Sequence, residues 1–459
     1  MLNHSDRVMF SLVSLMLCLH LLFDQHLSNM NIAEQTLSHL DQQNDLVRYE
    51  ECDGIALIGL RSPPVNGLGD KVRLGIAERL TRAVESASVY AVVIHGLGKV
   101  FSGGADIRQF NTSAAVARPM TRDINKLIQG MAKAVVASIH GVAYGAGLEL
   151  ALGCHYRLAE QSASLGLPEV QLGLVPGGGG TQRLTRLIGT REAMDMIQTG
   201  KPVVATRALE LGLVDQLFTG DPAEAGCLFA HGLKARDQRH PLVALRPMPT
   251  AEGLDFEAIR RSVNPKARNV LAQQTAISCV EIATQHDLET GLDKERALFD
   301  ALVAGPESKA LRYLFFAERD VAKLGFDKAN AAPFRLIVNR MLNACWREAL
   351  MLEAEGARRE QIDAAMIRFG FDTGPFALAA SSGLDIPLLG QNSENTYRVI
   401  HDEEIVRRCV LALANEGACV LQEGIVERAN QVDVICVNGY GFPAWRGGPM
   451  FYAQSQRWS

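Results

Sequence analysis

The chain of 459 residues is 47% hydrophobic and 21% charged, the composition of an ordinary folded protein with two or three domains. A formal net charge of −5 and the lack of a basic block exclude a nucleic-acid partner. Nine cysteines are scattered without a CxxC pair, and no metal-ligand spacing surrounds the adjacent Cys154 and His155, so reduced thiols in the cytoplasm and no bound metal are expected.

Residues 1–45 read as an extension. Its stretch "VMFSLVSLMLCLHLLF" (8–23) is almost wholly apolar, yet about one turn short of the roughly 20 residues that span a bilayer. It lacks the basic n-region and small-residue cleavage site of a signal peptide. A misplaced start codon is the simplest reading, with Met30 opening a polar segment that leads into the globular pattern, and no membrane partner is expected.

From residue 46 to 254 short apolar strands alternate with helices, which argues an α/β layered domain. "VRYEECDGIALIGL" predicts two strands joined by a Cys-Asp-Gly turn. "AVVIHGLG" and "HYRLAEQ" predict one strand each, and "VVASIHGVAYGAG" a strand running into a glycine-rich turn. "LGDKVRLGIAERLTRAVES" and "TQRLTRLIGTREAMDMIQTG" have helical period. Beyond residue 255 the strands stop. Residues 255–330 predict a helical linker, with "FDKANAAP" as a junction. Residues 331–459 repeat themselves: "REALMLEAEG" is echoed by "NEGACVLQEG", and "QIDAAMIRFGFDTGP" by "QVDVICVNGYGFPAWRGGP". Two related helical units packed side by side are expected.

The most conspicuous motif is the run Gly177–Gly180. A dinucleotide fingerprint needs G-x-G-x-x-G after a buried strand, and a Walker A loop needs Gly-Lys-Ser/Thr. Here the preceding "LPEVQLGLVP" is a proline-bounded loop and no lysine follows, so a phosphate cradle is not expected. Glu149, in contrast, falls in the first turn of a helix opened by a glycine-rich turn, where backbone N–H groups are unsatisfied. Glu169 follows one helix and one strand later, far enough along for the chain to return beside its start. Two carboxyls across an apolar cavity can divide acid and base roles. Spacing alone equally allows Glu149 to be a helix cap and Glu169 a surface residue. The second glycine loop, "KVFSGGADIRQF" (99–110), adds free backbone N–H groups, and two such donors make an oxyanion hole for a carbonyl.

"FSGGADI", "HGVAYGAGLELALGCHYRLA" and "LPEVQLGLVPGGGGTQRLTRLIG" together resemble the enoyl-CoA hydratase/isomerase (crotonase) family over residues 47–235. The resemblance implies a crotonase-like ββα spiral and an acyl-CoA substrate. It places the oxyanion donors on the N–H groups of Ala105 and Ala146, with Gly104 and Asp106 flanking the first. Glu149 matches the base that activates water and Glu169 the acid that protonates the α-carbon, so hydration is expected; isomerisation of 3-enoyl to 2-enoyl thioesters would need mainly Glu169. Arg108 occupies a place where a basic residue meets the CoA phosphates, or it is a solvated loop charge. The glycine run resembles the family's helix-opening turn, made of packing glycines.

"SKALRYLFFAER" and "FRLIVNRMLNACWREALMLEAEG…IDAAMIRFGFDTGPFALAASSGLDI" resemble multifunctional β-oxidation enzymes, which join a crotonase domain to a 3-hydroxyacyl-CoA dehydrogenase. The matches at 331–455 are to the dehydrogenase's all-helical C-terminal domains, in two copies. The NAD-binding domain that should precede them has no counterpart, because "AERDVAKLG" runs through "FDKANAAP" straight into "FRLIVNR". No "HFFNP"-type histidine motif is present, and Asn339 matches an active-site asparagine without its partners. No NAD cofactor and no hydride transfer are therefore expected. The competing readings are a dehydrogenase retained by ancestry and a non-catalytic deletion product. The terminal "RWS" is unlike S-K-L peroxisomal signals, and self-association is left open.

Overall fold

The computed structural model describes residues 46–234, 241–323, 332–381 and 398–458. The apolar run at 8–23 and residues 326–331 of the predicted junction lie outside them. Among the described residues no helix is long and apolar enough to cross a membrane.

Strands β1 (Val47–Cys52) and β2 (Ile55–Leu60) form the predicted hairpin. Its two-residue turn needs positive φ at both positions, and Asp53 and Gly54 supply φ of 50° and 80°. Strands β3 (Ala91–Gly96), β4 (Ala134–Ile139), β6 (Tyr156–Glu160) and β9 (Gln216–Phe218) extend this pair, all in parallel, into a six-stranded sheet of order β1-β2-β3-β4-β6-β9. Parallel central strands are covered on both faces and so read as unbroken apolar runs. One face, with Ile58, Ile94 and Ala137, packs on Ile76 and Leu80 of helix α1 (Asp70–Glu85). The other, with Val93, Val136 and Leu158, packs on Ala230 and Leu233 of the helix Pro222–Lys234.

The segment read as one strand over 135–147 is two. β4 ends at Ile139 and β5 (Val142–Tyr144) joins a second sheet with β7 (Ser164–Gly166) and β8 (Val203–Val204). The break falls at Gly141, whose φ is +61° and where a Cβ would sit 2.3 Å from the Lys99 carbonyl. That step between sheets aims the turn after β5 at the candidate site. Likewise the helix expected over 181–200 breaks at Gly189 (φ +86°) into α4 (Gly180–Ile188) and α5 (Thr190–Thr199), with α2 (Thr121–Gln129) and α3 (Ala146–Gly153) before them.

The linker is not a connector in energetic terms. Helices α6 (Val270–Gln285) and α7 (Leu288–Ala304) place Ala276, Ile277, Val280 and Leu302 in the same buried cluster as the strands. Only the next helix, α8 (Pro306–Lys323), turns elsewhere: its Leu311, Leu314 and Val321 pack with Val434 and Ala444 of the C-terminal region.

That region has the internal repeat seen in the sequence. Helices α9 (Ala332–Ala354) and α12 (Asp402–Gln422) pack together and exchange equivalent ion pairs. Arg340 of the first copy reaches Glu416 at 2.6 Å and Glu423 at 2.8 Å in the second. Arg408, the equivalent residue of the second copy, reaches Glu348 at 2.5 Å and Glu355 at 2.8 Å in the first. The repeated aspartates also match. Asp363, on α10 (Arg359–Phe369), accepts from the N–H groups of Phe376 and Ala377 at the start of α11 (Pro375–Ser381). Asp433, on α13 (Ala429–Tyr440), accepts from those of Met450 and Phe451 at the start of α14 (Pro449–Ser455). Each Gly-Pro lets the helix end approach its aspartate, since a Cβ at Gly374 or Gly448 would be 2.4 Å from that side chain.

Candidate active site

Two turns meet at the mouth of a cavity of about 230 Å³. The first leaves β3 and reaches Ala105; the second leaves β5 and opens α3 at Ala146. They touch at Gly104, whose φ is +107° and where a Cβ would sit 2.9 Å from the Tyr144 carbonyl. Ala146 is the first residue of its helix, so its N–H has no intrahelical acceptor. Among the described residues neither the Ala105 nor the Ala146 N–H finds an acceptor elsewhere in the protein, and both residues line the cavity. Alanine, where a glycine would also fit, costs nothing here because the group on offer is the amide.

Glu149 and Glu169 line the same cavity. Glu149 is buried, and its Oε1 accepts from the N–H groups of Gly178 at 2.7 Å and Gly180 at 2.8 Å. Burial pushes its pKa up, and the two amide bonds oppose that rise. Glu169 sits on a single 3₁₀ turn, Pro168–Leu172, with Oε2 secluded and unpartnered. Burial is the main cause that holds its pKa well above the usual carboxylate range, and the charge of nearby Glu149 raises it further. One carboxyl is thus furnished with donors that favour its ionised form, while at the other burial and neighbouring charge outweigh one backbone hydrogen bond and favour the proton.

The glycine run is more than packing. Its amides do cradle anions, and the anions are the protein's own carboxylates. Gly178 and Gly180 serve Glu149, while Gly179 and Thr181 donate to Glu295 at 2.7 and 2.9 Å. Glu295 belongs to no motif in the sequence. The available signal is a glutamate on the buried stripe of α7, among Leu292 and Leu302. That helix also supplies Arg296, Phe299 and Val303 to the cavity wall.

Asp106 and Arg108 are not brought into the site. They lie outside the cavity lining and pair with each other, Arg108 Nε and Nη2 donating to Asp106 at 2.8 and 2.9 Å, with Arg108 exposed. The solvated-loop alternative describes Arg108 as it stands. Three other arginines reach the wall: Arg73 donates to backbone carbonyls, Arg122 pairs with Asp293, and Arg296 pairs with Asp300. Cys154 and His155 serve the fold, donating to the Leu150 carbonyl and accepting from the Val135 N–H, respectively.

Paired amide donors facing two carboxyls of unequal proton affinity, on an α/β scaffold, are the arrangement that a crotonase-like site requires. The comparison with known families gives the particular assignment. Residues 50–225 match the enoyl-CoA hydratase/isomerase family, and residues 336–402 match the 3-hydroxyacyl-CoA dehydrogenase C-terminal domain family. Among curated relatives, the peroxisomal bifunctional enzyme of Danio rerio is 42% identical over 281 residues, which is 61% of this chain and 39% of that protein. The peroxisomal bifunctional enzyme of Homo sapiens is 39% identical over 273 residues, 59% of this chain and 38% of that protein. The fatty acid oxidation complex subunit alpha of Shewanella amazonensis is 39% identical over 289 residues. The chain thus spans about two-fifths of the length of the relatives it matches.

Proposed function

We propose that this chain hydrates 2-enoyl-CoA thioesters to 3-hydroxyacyl-CoA thioesters, a step of fatty-acid β-oxidation, with isomerisation of 3-enoyl to 2-enoyl thioesters as a second activity. The observation that carries the reading is the placement of Glu149 and Glu169, with opposed surroundings, in one cavity with the Ala105 and Ala146 amides. In this scheme the thioester oxygen accepts from both amides. Ionised Glu149 takes a proton from water as the water oxygen bonds to C3, and the displaced π electrons reach the thioester oxygen as an enolate. Protonated Glu169 then delivers its proton to C2. Each oxyanion donor contributes roughly 3 kcal/mol to such a transition state. Isomerisation uses Glu169 alone, starting from its ionised form: it removes a proton at C2, the electrons reach the thioester oxygen as a dienolate, and the proton is returned at C4 as the double bond moves to C2–C3.

Hydride transfer has no place in the proposal. A dinucleotide site needs a strand leading into a glycine turn and a helix. Beyond Phe218 the described residues form helices only, and Asn339 is exposed on α9. On this reading the dehydrogenase-like helices are structural. A reducing compartment suits the eight described cysteines, all free thiols. The cytoplasm was expected from cysteine usage, and the relatives' names make the peroxisome the alternative, which fractionation of the native source would decide. The central test follows crotonyl-CoA absorbance at the enoyl-thioester band, with and without NAD. Loss of absorbance independent of NAD is expected. No loss would overturn the hydratase reading, and sustained NADH formation from 3-hydroxybutyryl-CoA would overturn the exclusion of hydride transfer.

A further inference from the structure

The glycine run deals its amides alternately to two helices. Gly178 and Gly180 point at Glu149 on α3, and Gly179 and Thr181 point at Glu295 on α7, where the Thr181 hydroxyl also donates. The positive φ of Gly179, +105°, reverses the direction of successive N–H groups and makes this alternation possible. The loop cannot shift on one side without shifting on the other. Its partners crowd it closely: a Cβ at Gly178 would be 2.7 Å from Glu149 Oε2, and one at Gly177 would be 2.6 Å from the Phe299 ring, one turn beyond Glu295. Glu295 is fully buried and does not line the cavity, so it touches no substrate.

We infer that Glu295 is a positioning residue for hydration: by anchoring the Gly179 and Thr181 amides it fixes those of Gly178 and Gly180 on Oε1 of Glu149, leaving Oε2 to receive the proton of water. The inference rests on the hydratase reading. It also gives the linker helix a task, because α7 lies beyond the residues matched to the hydratase family.

The groups facing Glu295 are Glu149 from α3, Glu169 from the 3₁₀ turn, Thr181 and Arg183 from α4, and Cys279 from α6. Burial first, and then the charge of Glu149, push the Glu295 carboxyl up to about 8. Replacing Glu295 acts on the loop through the Gly179 and Thr181 amides that it holds.

The test uses the full chain, crotonyl-CoA and two variants, with the folded fraction read by circular dichroism. Glu295→Ala is expected to lower kcat per folded molecule about 10- to 100-fold while KM stays within about threefold, the signature of a displaced catalytic group. The acid limb of kcat moves to higher pH, because Glu149 loses the amide bonds that favour its ionised form. Glu295→Gln keeps the volume and one acceptor oxygen and falls between, and it decides the matter alone should the alanine variant fail to fold. A merely structural role would scale the whole pH profile without moving it. Unchanged kcat and an unmoved acid limb in the folded variants overturn the inference alone. A wild-type chain that hydrates nothing overturns it together with the functional reading.

Discussion

Glu149 holds two amide partners and Glu169 Oε2 holds none, although the two side chains share one cavity. Their surroundings fix opposite tasks, and pH should reveal both. The proposed hydration scheme requires Glu149 ionised and Glu169 protonated. kcat should therefore rise as Glu149 loses its proton, and fall again at higher pH as Glu169 loses its own from a pKa raised by burial. Glu169→Gln is expected to lower hydration and isomerisation alike, by about 10²- to 10⁴-fold. Glu149→Gln should damage hydration much more than isomerisation. Equal and small effects of both changes would refute the division of labour. The cavity residues were legible in the sequence because each sits beside a glycine turn with local meaning: Ala105 after Gly103-Gly104, Ala146 after Gly145, Glu149 within the first turn of its helix. Glu295 was not legible. Its partners are backbone amides 114 and 116 residues away, and amides leave no trace in a residue pattern. For Arg108 the sequence left two roles open, and what it did not show is the ion pair with Asp106 two residues away.

The elements show where local pattern stops being enough. The sequence divides β1 from β2 through the chemistry of Asp53-Gly54, but it hides the division of β4 from β5, because Gly141 looks like a turn start and its constraint is a carbonyl from another loop. The glycine run is similar: each residue is small because something specific lies against it. Gly178→Ala would force its methyl against Glu149 Oε2 and the Thr121 Cβ, at 2.7 and 3.1 Å. Overpacking of this kind costs about 1–3 kcal/mol, and the kcat for hydration is expected to fall more steeply than stability. A variant with normal kcat would show that the loop is not coupled to Glu149. In the C-terminal helices the repeated aspartates give a pH test. Burial pushes Asp433 from 3.8 up to about 7 despite its amide bonds and that of Tyr313. A carboxyl whose pKa is raised on folding binds a proton that the unfolded chain has already released. Its contribution to stability is full below about pH 4 and is lost as pH rises toward 7. Asp433→Asn should flatten the change in Tm over that window, measured against the wild-type chain. An identical slope in the two proteins would place the titration elsewhere.

Among the described residues, the two largest buried clusters span Val47 to Leu302 and Phe334 to Phe442. Helix α8 joins them. It sets Leu311 and Leu314 against Val434 and Ala444, stacks Tyr313 on Phe451 with ring centres 4.5 Å apart, and donates the Tyr313 hydroxyl to Asp433 at 2.6 Å. The sequence set residues 255–330 apart as a helical linker between two regions of different class. The physical boundary comes later, because α6 and α7 complete the core of the first region and the wall of its cavity. This arrangement predicts how the molecule unfolds. Leu314 is fully buried, so Leu314→Ala should cost about 2–5 kcal/mol. The loss falls on the joint between the clusters and not within either of them. Calorimetry of the variant is expected to resolve two transitions where the wild-type chain shows more nearly one. Crotonyl-CoA hydration should survive the lower transition, which belongs to the C-terminal helices, and vanish with the upper one. A single transition shifted downward, with activity lost throughout it, would instead mean that the C-terminal helices and the N-terminal core stand or fall together.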